Sequence, residues 1–168
     1  NYDDIEIVPC STFDLTISSV LTGEADYAVM AIENARSGSI LQNYTLIRES
    51  GMKMLGEHNL RIIQNLMALP GQTIADIHEV RSHPIALAQC MDFLKQYPSW
   101  TLIESDDTAG SAKQISEINL KGMAAIASSE AARIYGLEII APGIETYKQN
   151  YTRFLVVGPE DRGNKKGN

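Results

Sequence analysis

Short apolar segments alternate with amphipathic segments along most of the chain. The continuous apolar run over residues 26–32 is typical of a strand that is buried on both faces. The spacing of Leu41, Tyr44 and Ile47 then predicts a helix that ends near Gly51. Further strands are predicted over residues 5–8, 101–103, 123–127, 137–141 and 154–157. The helices between them are predicted to begin at Ser11 or Thr12, near Ile85, at Asp107 or Thr108, and at Ser128.

This alternation predicts an α/β fold with parallel β/α layers. Pro70-Gly71 is a strong break that divides the elements into two sets. We expect the last strand to return to the first set, so that the chain crosses twice between two lobes with a cleft between them. The predicted first lobe is residues 1–68 plus 150–160, the second is residues 69–149, and residues 161–168 form a polar tail.

Composition narrows the classes of function. The 168 residues include 14 Lys and Arg against 21 Asp and Glu, a net charge of −7, which disfavours binding to a nucleic-acid backbone. The longest apolar runs hold about six residues, whereas a membrane helix needs about 18–20. The two cysteines, Cys10 and Cys90, fit buried thiols in a reducing compartment better than a disulfide framework or a zinc site. No secretory signal is visible.

Four polar segments stand where a predicted strand hands over to a helix: residues 33–39, 82–84, 105–108 and 128–129. Ligands of open α/β sheets bind at the carboxyl ends of the strands, and helix N-termini there offer N–H groups to anions. An anionic ligand therefore fits this pattern. Helix capping alone explains any one of these segments equally well, because Ser, Thr, Asp and Asn are the favoured caps.

Other chemistries find little support. The chain has no Gly-x-Gly-x-x-Gly and no P-loop motif, and His58, His78 and His83 lack the spacing of metal ligands. Cys90 lies in a helical apolar pattern that favours burial over nucleophilic catalysis. The residues themselves therefore give no dinucleotide or P-loop signal, and they make a metal site improbable.

Several segments together resemble the prephenate dehydratase family. Residues 82–90, Ser-His-Pro-Ile-Ala-Leu-Ala-Gln-Cys, resemble its S-H-P-x-A-L-x-Q-C signature, and residues 150–154, Asn-Tyr-Thr-Arg-Phe, match N-[FY]-T-R-F. These two motifs are specific. Residues 33–38, 107–112, 124–128 and 135–137 resemble the weaker E-N-[ST]-x-x-G, D-T-A-x-S-A, A-A-I-A-S and Y-G-L segments. The matches follow family order from about residue 5 to residue 158.

The resemblance implies a two-lobed fold like that of type 2 periplasmic binding proteins, with the site between the lobes. It implies conversion of prephenate to phenylpyruvate, water and carbon dioxide in phenylalanine biosynthesis, in the cytoplasm and without a cofactor or metal. The implied partner is the small-molecule substrate, with no nucleic acid and no membrane, and the family assembles as homo-oligomers.

The resemblance also carries site residues to this chain. It implies that Thr152 is the catalytic residue, and we expect its hydroxyl to donate a hydrogen bond to the departing oxygen. The implied substrate-binding residues are Asn34, Ser82, Gln89, Arg153, Phe154 and Thr108.

The chain departs from the family pattern in three ways. Ala35 stands where the family has Ser or Thr after Glu-Asn. The family's N-terminal strand with its Gly-rich turn, and its C-terminal ACT domain that binds phenylalanine, have no counterpart here. We therefore expect a catalytic domain without these parts, and no feedback control from the residues present.

Two alternatives stay open at this level. The same scaffold, with Ala35 and without the Gly-rich turn, could be a non-catalytic module that binds small anions. A dehydratase acting on arogenate, which carries an amino group in place of the keto oxygen, is the other alternative. A carboxylate near that amino group would favour it, and the sequence does not place one.

Overall fold

Two β-sheets organise the chain in the computed structural model, which describes residues 5–160. The helices are α1 Phe13–Leu21, α2 Leu41–Ser50, α3 Pro84–Gln89, α4 Met91–Leu94, α5 Thr108–Ile118 and α6 Ser129–Tyr135. The strands are β1 Ala28–Asn34, β2 Gly38–Ser39, β3 Lys53–Arg61, β4 Asn65–Ala68, β5 Glu79–Ser82, β6 Thr101–Glu104, β7 Met123–Ala127, β8 Glu138–Ala141 and β9 Tyr151–Gly158. A short 3-10 helix spans Ile74–Asp76. The predicted α/β class is confirmed.

The chain divides into two compact units. One consists of the chain up to Arg61 together with the chain from Asn150 onward, and the other is Ile62–Gln149. Residues 62–68, which the sequence pattern assigns to the first lobe, lie in the second unit because β4 pairs with β7 and β8 there. Pro70-Gly71 thus ends a strand within the second unit. The predicted tail over residues 161–168 lies outside the described residues.

The sheet of the first unit has the strand order β2-β1-β9-β3. Strand β9 is antiparallel to both β1 and β3, so β1 and β3 run in the same direction with β9 between them. The expected parallel β/α layer is therefore wrong as a description of the pairing in this sheet. Helix α2 does connect β1 to a strand that runs in the same direction, β3. However, β9, from the far end of the sequence, lies between β1 and β3 in the sheet.

The core of the first unit lies between this sheet and helices α1 and α2. Ile17 and Ile47 of the helices pack with Met30 and Leu155 of the strands. Strand β1 alternates between buried and exposed residues, and Val29 is 63% exposed. The prediction of a strand buried on both faces was wrong for residues 26–32, because the core of the described first unit covers one face of β1.

The sheet of the second unit has the order β6-β5-β7-β4-β8. Strands β5, β6 and β7 are parallel, and β4 is antiparallel to its neighbours β7 and β8. Leu66 of β4 packs with Leu87 and Cys90 on one face, and Met67 packs with Ile115 on the other. Helices cover both faces, so the four residues of β4 are all buried.

Helix starts follow the predicted caps closely. The side chains of Thr12, Asp107 and Ser128 accept main-chain N–H groups at the starts of α1, α5 and α6. The helix predicted to begin near Ile85 is instead divided at Cys90 into α3 and α4. Residues 5–8 form no strand, and Ile7 is 82% exposed. No helix within residues 5–160 is long and apolar enough to cross a membrane.

Candidate active site

In the first unit, the end of β1 lies beside the start of β9. The two strands pair antiparallel, with Asn34 opposite Thr152. An antiparallel strand begins at the edge where its neighbours end, so residues 118 positions apart in sequence meet there. We call Asn34, Asn150 and Thr152 the hydroxyl cluster.

The side-chain amide of Asn34 is bonded at both ends. Its Nδ2 donates to Thr152 Oγ1 at 2.9 Å and to Asn150 Oδ1 at 3.0 Å. Its Oδ1 accepts the main-chain N–H groups of Arg36 and Ser37, each at 2.9 Å. The second pair of bonds fixes the turn after β1. Asn34 is therefore held rigidly, and its amide N–H donates to the Thr152 hydroxyl from a fixed position.

The hydroxyl of Thr152 is oriented by this contact. The residue is 9% exposed, and its Oγ1 accepts the hydrogen bond from Asn34. A hydroxyl has one hydrogen to donate and two lone pairs. Across residues 5–160, no group accepts that hydrogen. The hydrogen of the Thr152 hydroxyl is therefore available for a further acceptor, and the catalytic role that the resemblance implied for Thr152 stays a prediction.

Arg153 and Phe154 follow Thr152 on β9 and lie on opposite faces of the sheet, because side chains alternate along a strand. Phe154 is half-buried on the face of Thr152. Arg153 lies on the other face and makes an ion pair with Glu57. The hydrogen bonds and the charge of Glu57 raise the pKa of the Arg153 guanidinium above its ordinary value. Within the first unit, Arg153 and Thr152 therefore do not converge.

In the second unit, a buried polar cluster precedes β4. The Gln64 side chain donates from Nε2 to Gln89 Oε1 at 3.2 Å, and the Gln64 main-chain N–H donates to Glu145 Oε2 at 3.0 Å. The Glu145 side chain is 2% exposed, and Lys148 Nζ lies 3.7 Å from its Oε1. We call Gln64, Gln89 and Glu145 the carboxylate cluster. It fixes the amide of Gln89, with its oxygen toward Gln64.

Cys90 follows Gln89 and lies near this cluster. Burial, and then the negative charge of Glu145, raise the pKa of Cys90 to about 12, although Lys148 acts in the opposite direction. The thiol is therefore protonated at neutral pH, and a protonated thiol is a poor nucleophile.

Ser82 and His83 stabilise the junction between β5 and α3. Ser82 is fully buried, and its Oγ donates to the Ile126 main-chain oxygen at 2.7 Å. A serine hydroxyl has a single hydrogen, so Ser82 uses its hydrogen within the fold, and the substrate-binding role implied by its motif stays a prediction. His83 Nδ1 accepts the Ile85 N–H at 3.2 Å, so its ring caps the short helix.

Thr108 is the first residue of α5 and is half-buried. The helix is capped by Asp107, whose carboxylate accepts the Gly110 N–H. An open depression of about 460 Å³ beside this helix is lined by Asp107, Ser111 and Lys113, among others, but not by Thr108. Thr108 is thus placed at a helix N-terminus, as its motif implied.

Comparison with known proteins decides the family. The family model described as prephenate dehydratase matches residues 2–162.

The chain belongs to the prephenate dehydratase family.

Relatives and solved structures agree with this family. An Arabidopsis thaliana protein named arogenate dehydratase/prephenate dehydratase 2, chloroplastic, is 43% identical over 95% of this chain, which spans 42% of that relative. A structure of prephenate dehydratase from Arthrobacter aurescens in complex with L-Phe matches 95% of this chain and 54% of its own, at 27% identity and a TM-score of 0.84. A structure described as GqqA, a quorum-quenching acylase, matches 93% of this chain and 56% of its own, at 34% identity and a TM-score of 0.83. This chain therefore spans about half the length of these proteins.

Three residues of the hydroxyl and carboxylate clusters were not predicted from the sequence as site residues. Asn150 lies inside the Asn-Tyr-Thr-Arg-Phe segment and is 1% exposed, so the motif carried the signal. Gln64 and Glu145 have no motif. The available sign for Gln64 was a polar residue at the start of the apolar strand β4. Within residues 5–160, no three His, Cys, Asp or Glu side chains come together as a metal site requires.

Proposed function

We propose that this chain is the catalytic domain of a prephenate dehydratase, a lyase of aromatic amino-acid biosynthesis. The observation that carries the proposal is the Thr152 hydroxyl, which is fixed by Asn34 and has its hydrogen left to donate. The family assignment supports the reaction type. The same geometry favours an enzyme over a purely non-catalytic module, because a departing oxygen requires a hydrogen-bond donor that is already oriented.

In the proposed reaction, the bond between the ring and its carboxylate breaks and carbon dioxide leaves. The electron pair moves through the ring, which becomes aromatic, and expels the hydroxyl group from the opposite carbon. One proton is taken up, so that prephenate and a proton give phenylpyruvate, carbon dioxide and water. No electron acceptor enters this balance.

Thr152 assists the departure of the hydroxyl group. A threonine hydroxyl is too weak an acid to give up its proton by itself, so it donates a hydrogen bond to the leaving oxygen and relays a proton from water. A donor held in place before the reaction stabilises charge that develops in the transition state more than it stabilises the substrate. Asn34 serves this step by orienting Thr152.

The proposed substrate contacts are Gln89, Thr108 and Phe154. Gln89 and Thr108 supply amide and hydroxyl groups suited to the carboxylate and keto oxygens of a dianion. Phe154 shares a sheet face with Thr152 and offers an aromatic surface to the ring. We assign supporting roles to Ser82 and Arg153, because Ser82 bonds Ile126 and Arg153 pairs with Glu57.

Arogenate is the second candidate substrate. The name of the Arabidopsis thaliana relative includes arogenate dehydratase, and the second unit contains the buried carboxylate of Glu145. Arogenate differs from prephenate by an ammonium group, which a carboxylate favours. The proposed compartment is the cytoplasm, where free thiols such as Cys10 and Cys90 persist. We also propose a homo-oligomer, which light scattering of the whole gene product tests.

The deciding experiment supplies the purified whole gene product with prephenate and, separately, with arogenate. Formation of phenylpyruvate, detected by the absorbance of its enolate in alkali, is the expected result with prephenate. Formation of phenylalanine from arogenate, with no product from prephenate, would show that arogenate is the substrate instead. Calorimetric binding of prephenate without turnover of either compound would favour the anion-binding module instead.

A further inference from the structure

Glu145 is a buried carboxylate that the proposed chemistry does not use. Its side chain is 2% exposed, while the side chain of its neighbour Lys148 is 57% exposed. Burying a carboxylate is costly unless hydrogen bonds or an opposite charge compensate. Lys148 Nζ lies 3.7 Å from Glu145 Oε1, beyond hydrogen-bond distance, and donates instead to the main-chain oxygens of Gly143 and Glu145. The direct hydrogen bond to the carboxylate comes from the Gln64 N–H.

Main-chain bonds already tie the segment around Glu145 to its neighbours. The Ile144 N–H donates to the Gln64 oxygen at 2.8 Å, and the Thr146 N–H donates to the Gln89 oxygen at 2.8 Å. These bonds need no particular side chain at position 145. The carboxylate adds a bond to the remaining main-chain group of Gln64, so its effect falls on Gln64.

Gln64 transmits that effect to Gln89. With both its N–H and its carbonyl held, the backbone of Gln64 is fixed, and its side chain donates from Nε2 to Gln89 Oε1 at 3.2 Å. A glutamine amide has two distinct ends, and the bond to its oxygen decides which way it faces. The Glu145 carboxylate therefore holds Gln64 in place, and Gln64 in turn holds the Gln89 amide.

We propose that Glu145 is a positioning residue that acts through Gln64 to hold the Gln89 amide in the orientation used for the substrate. The inference rests on the proposed function, in which Gln89 binds the substrate. Side chains of this kind support a binding group by restricting its rotamers, and loss of that support weakens binding. The carboxylate acts here as a hydrogen-bond acceptor for Gln64.

The kinetic test uses the whole gene product with Glu145→Ala, Glu145→Gln and a matched control, Glu79→Gln. Glu79 is another poorly exposed carboxylate of the second unit, paired with Arg81. Loss of a contact that serves substrate and transition state equally raises KM and leaves kcat. We expect Glu145→Ala to raise KM about tenfold with kcat within about threefold. Glu145→Gln, whose amide oxygen still accepts the Gln64 N–H, should stay within about threefold of wild type. Glu79→Gln should leave both constants unchanged.

A double-mutant cycle separates positioning from general damage. In the Gln89→Ala background, Glu145→Ala should raise KM by less than about twofold, because the group it positions is gone. Equal effects in both backgrounds would overturn the inference. If Glu145→Ala does not fold, Glu145→Asp, which withdraws the carboxylate by one methylene group, takes its place in the same cycle.

A second readout does not depend on turnover. The side-chain amide signals of Gln89 in the 15N-labelled protein, assigned by their loss in Gln89→Ala, should shift in Glu145→Ala and return toward wild type in Glu145→Gln. Unmoved Gln89 signals in Glu145→Ala, or equal shifts in Glu79→Gln, would contradict the inference. If the wild-type protein turns over neither substrate, the proposed function fails and these signals alone decide whether Glu145 positions Gln89.

Discussion

The hydroxyl cluster of the first unit and the carboxylate cluster of the second are built in the same way but differ in chemistry. In each sheet, an antiparallel strand lies between two strands that run the opposite way: β9 lies between β1 and β3 in the first, and β4 lies between β7 and β8 in the second. Each of these strands begins beside a buried asparagine, Asn150 or Asn65. The first cluster leaves a hydroxyl hydrogen to donate, whereas the second buries a negative charge.

This difference separates what topology determines from what side chains determine. An antiparallel strand inserted among parallel ones begins at the edge where they end, so both sheets gather polar groups from distant parts of the sequence at that edge. The residue types then decide the chemistry. Thr152 has a hydroxyl hydrogen to donate, whereas Glu145 is buried and accepts the Gln64 N–H, so it organises its neighbours.

Replacement of Thr152 is expected to have the largest effect. Thr152→Ala removes the only hydrogen-bond donor of the side chain that Asn34 orients. We expect kcat with the preferred substrate to fall by about 10²–10³-fold, as for loss of one preorganised donor, while KM changes little. Thr152→Ser, which keeps the hydroxyl, should recover most of the rate. Steady-state kinetics of the whole gene product measure both.

Thr45→Ala is the matched control in the same unit. Thr45 is exposed, and its hydroxyl donates to the Leu41 main-chain oxygen within α2. It should keep the wild-type kcat. If Thr152→Ala also kept the wild-type kcat, the hydroxyl cluster would have no catalytic role, and the proposed mechanism would be wrong.

Local signals predicted most of the secondary structure. The caps Thr12, Asp107 and Ser128 begin their helices as expected, because an N-cap depends on one side chain and the N–H groups just after it. The strand over residues 5–8 was not formed, since a strand also requires a partner and none of the described strands pairs with it. Strand partners are not written in local sequence. For this reason the insertion of β9 between β1 and β3, and the place of β4 in the second unit, could not be read from periodicity.

The candidate site shows the same division. The motifs supplied Asn34, Thr152 and Gln89, which the structure connects to further polar groups. They did not supply the bonding state of each group. Ser82 donates its single hydrogen to Ile126, and Arg153 faces away from Thr152 toward Glu57. Which partner a polar group has already taken is a property of the packed chain.

A smaller effect is expected from Cys90, whose pKa is raised by burial and then by the charge of Glu145. The folded-state pKa of Cys90 is about 12, whereas an unfolded cysteine has a pKa of about 8.5. Below pH 8.5 both states hold the proton. Above it the unfolded chain releases the proton first, so the free energy of unfolding falls as pH rises. The decline due to Cys90 is expected to approach about 1.4 kcal/mol per pH unit.

Urea unfolding at pH 8, 9 and 10 measures this decline. Cys90→Ala should have a lower free energy of unfolding than wild type at every pH. The difference between the two proteins should shrink as the pH rises, because the variant lacks the decline due to Cys90. Cys10→Ala, in the first unit, keeps Cys90 and should show the wild-type decline. Equal pH dependence in wild type and Cys90→Ala would mean that folding does not raise the pKa of the Cys90 thiol.

The smallest effect is expected from the exposed ion pair behind the hydroxyl cluster. The side chains of Arg153 and Glu57 are 41% and 54% exposed, so solvent screens their attraction, and Glu57→Gln should leave the free energy of unfolding nearly unchanged. Because Arg153 and Thr152 occupy opposite faces of β9, kcat and KM should stay at their wild-type values. A severalfold change in KM on releasing Arg153 from Glu57 would show that its guanidinium reaches the substrate. The substrate would then be bound from both faces of β9, and the first unit would supply charge as well as the hydroxyl donor.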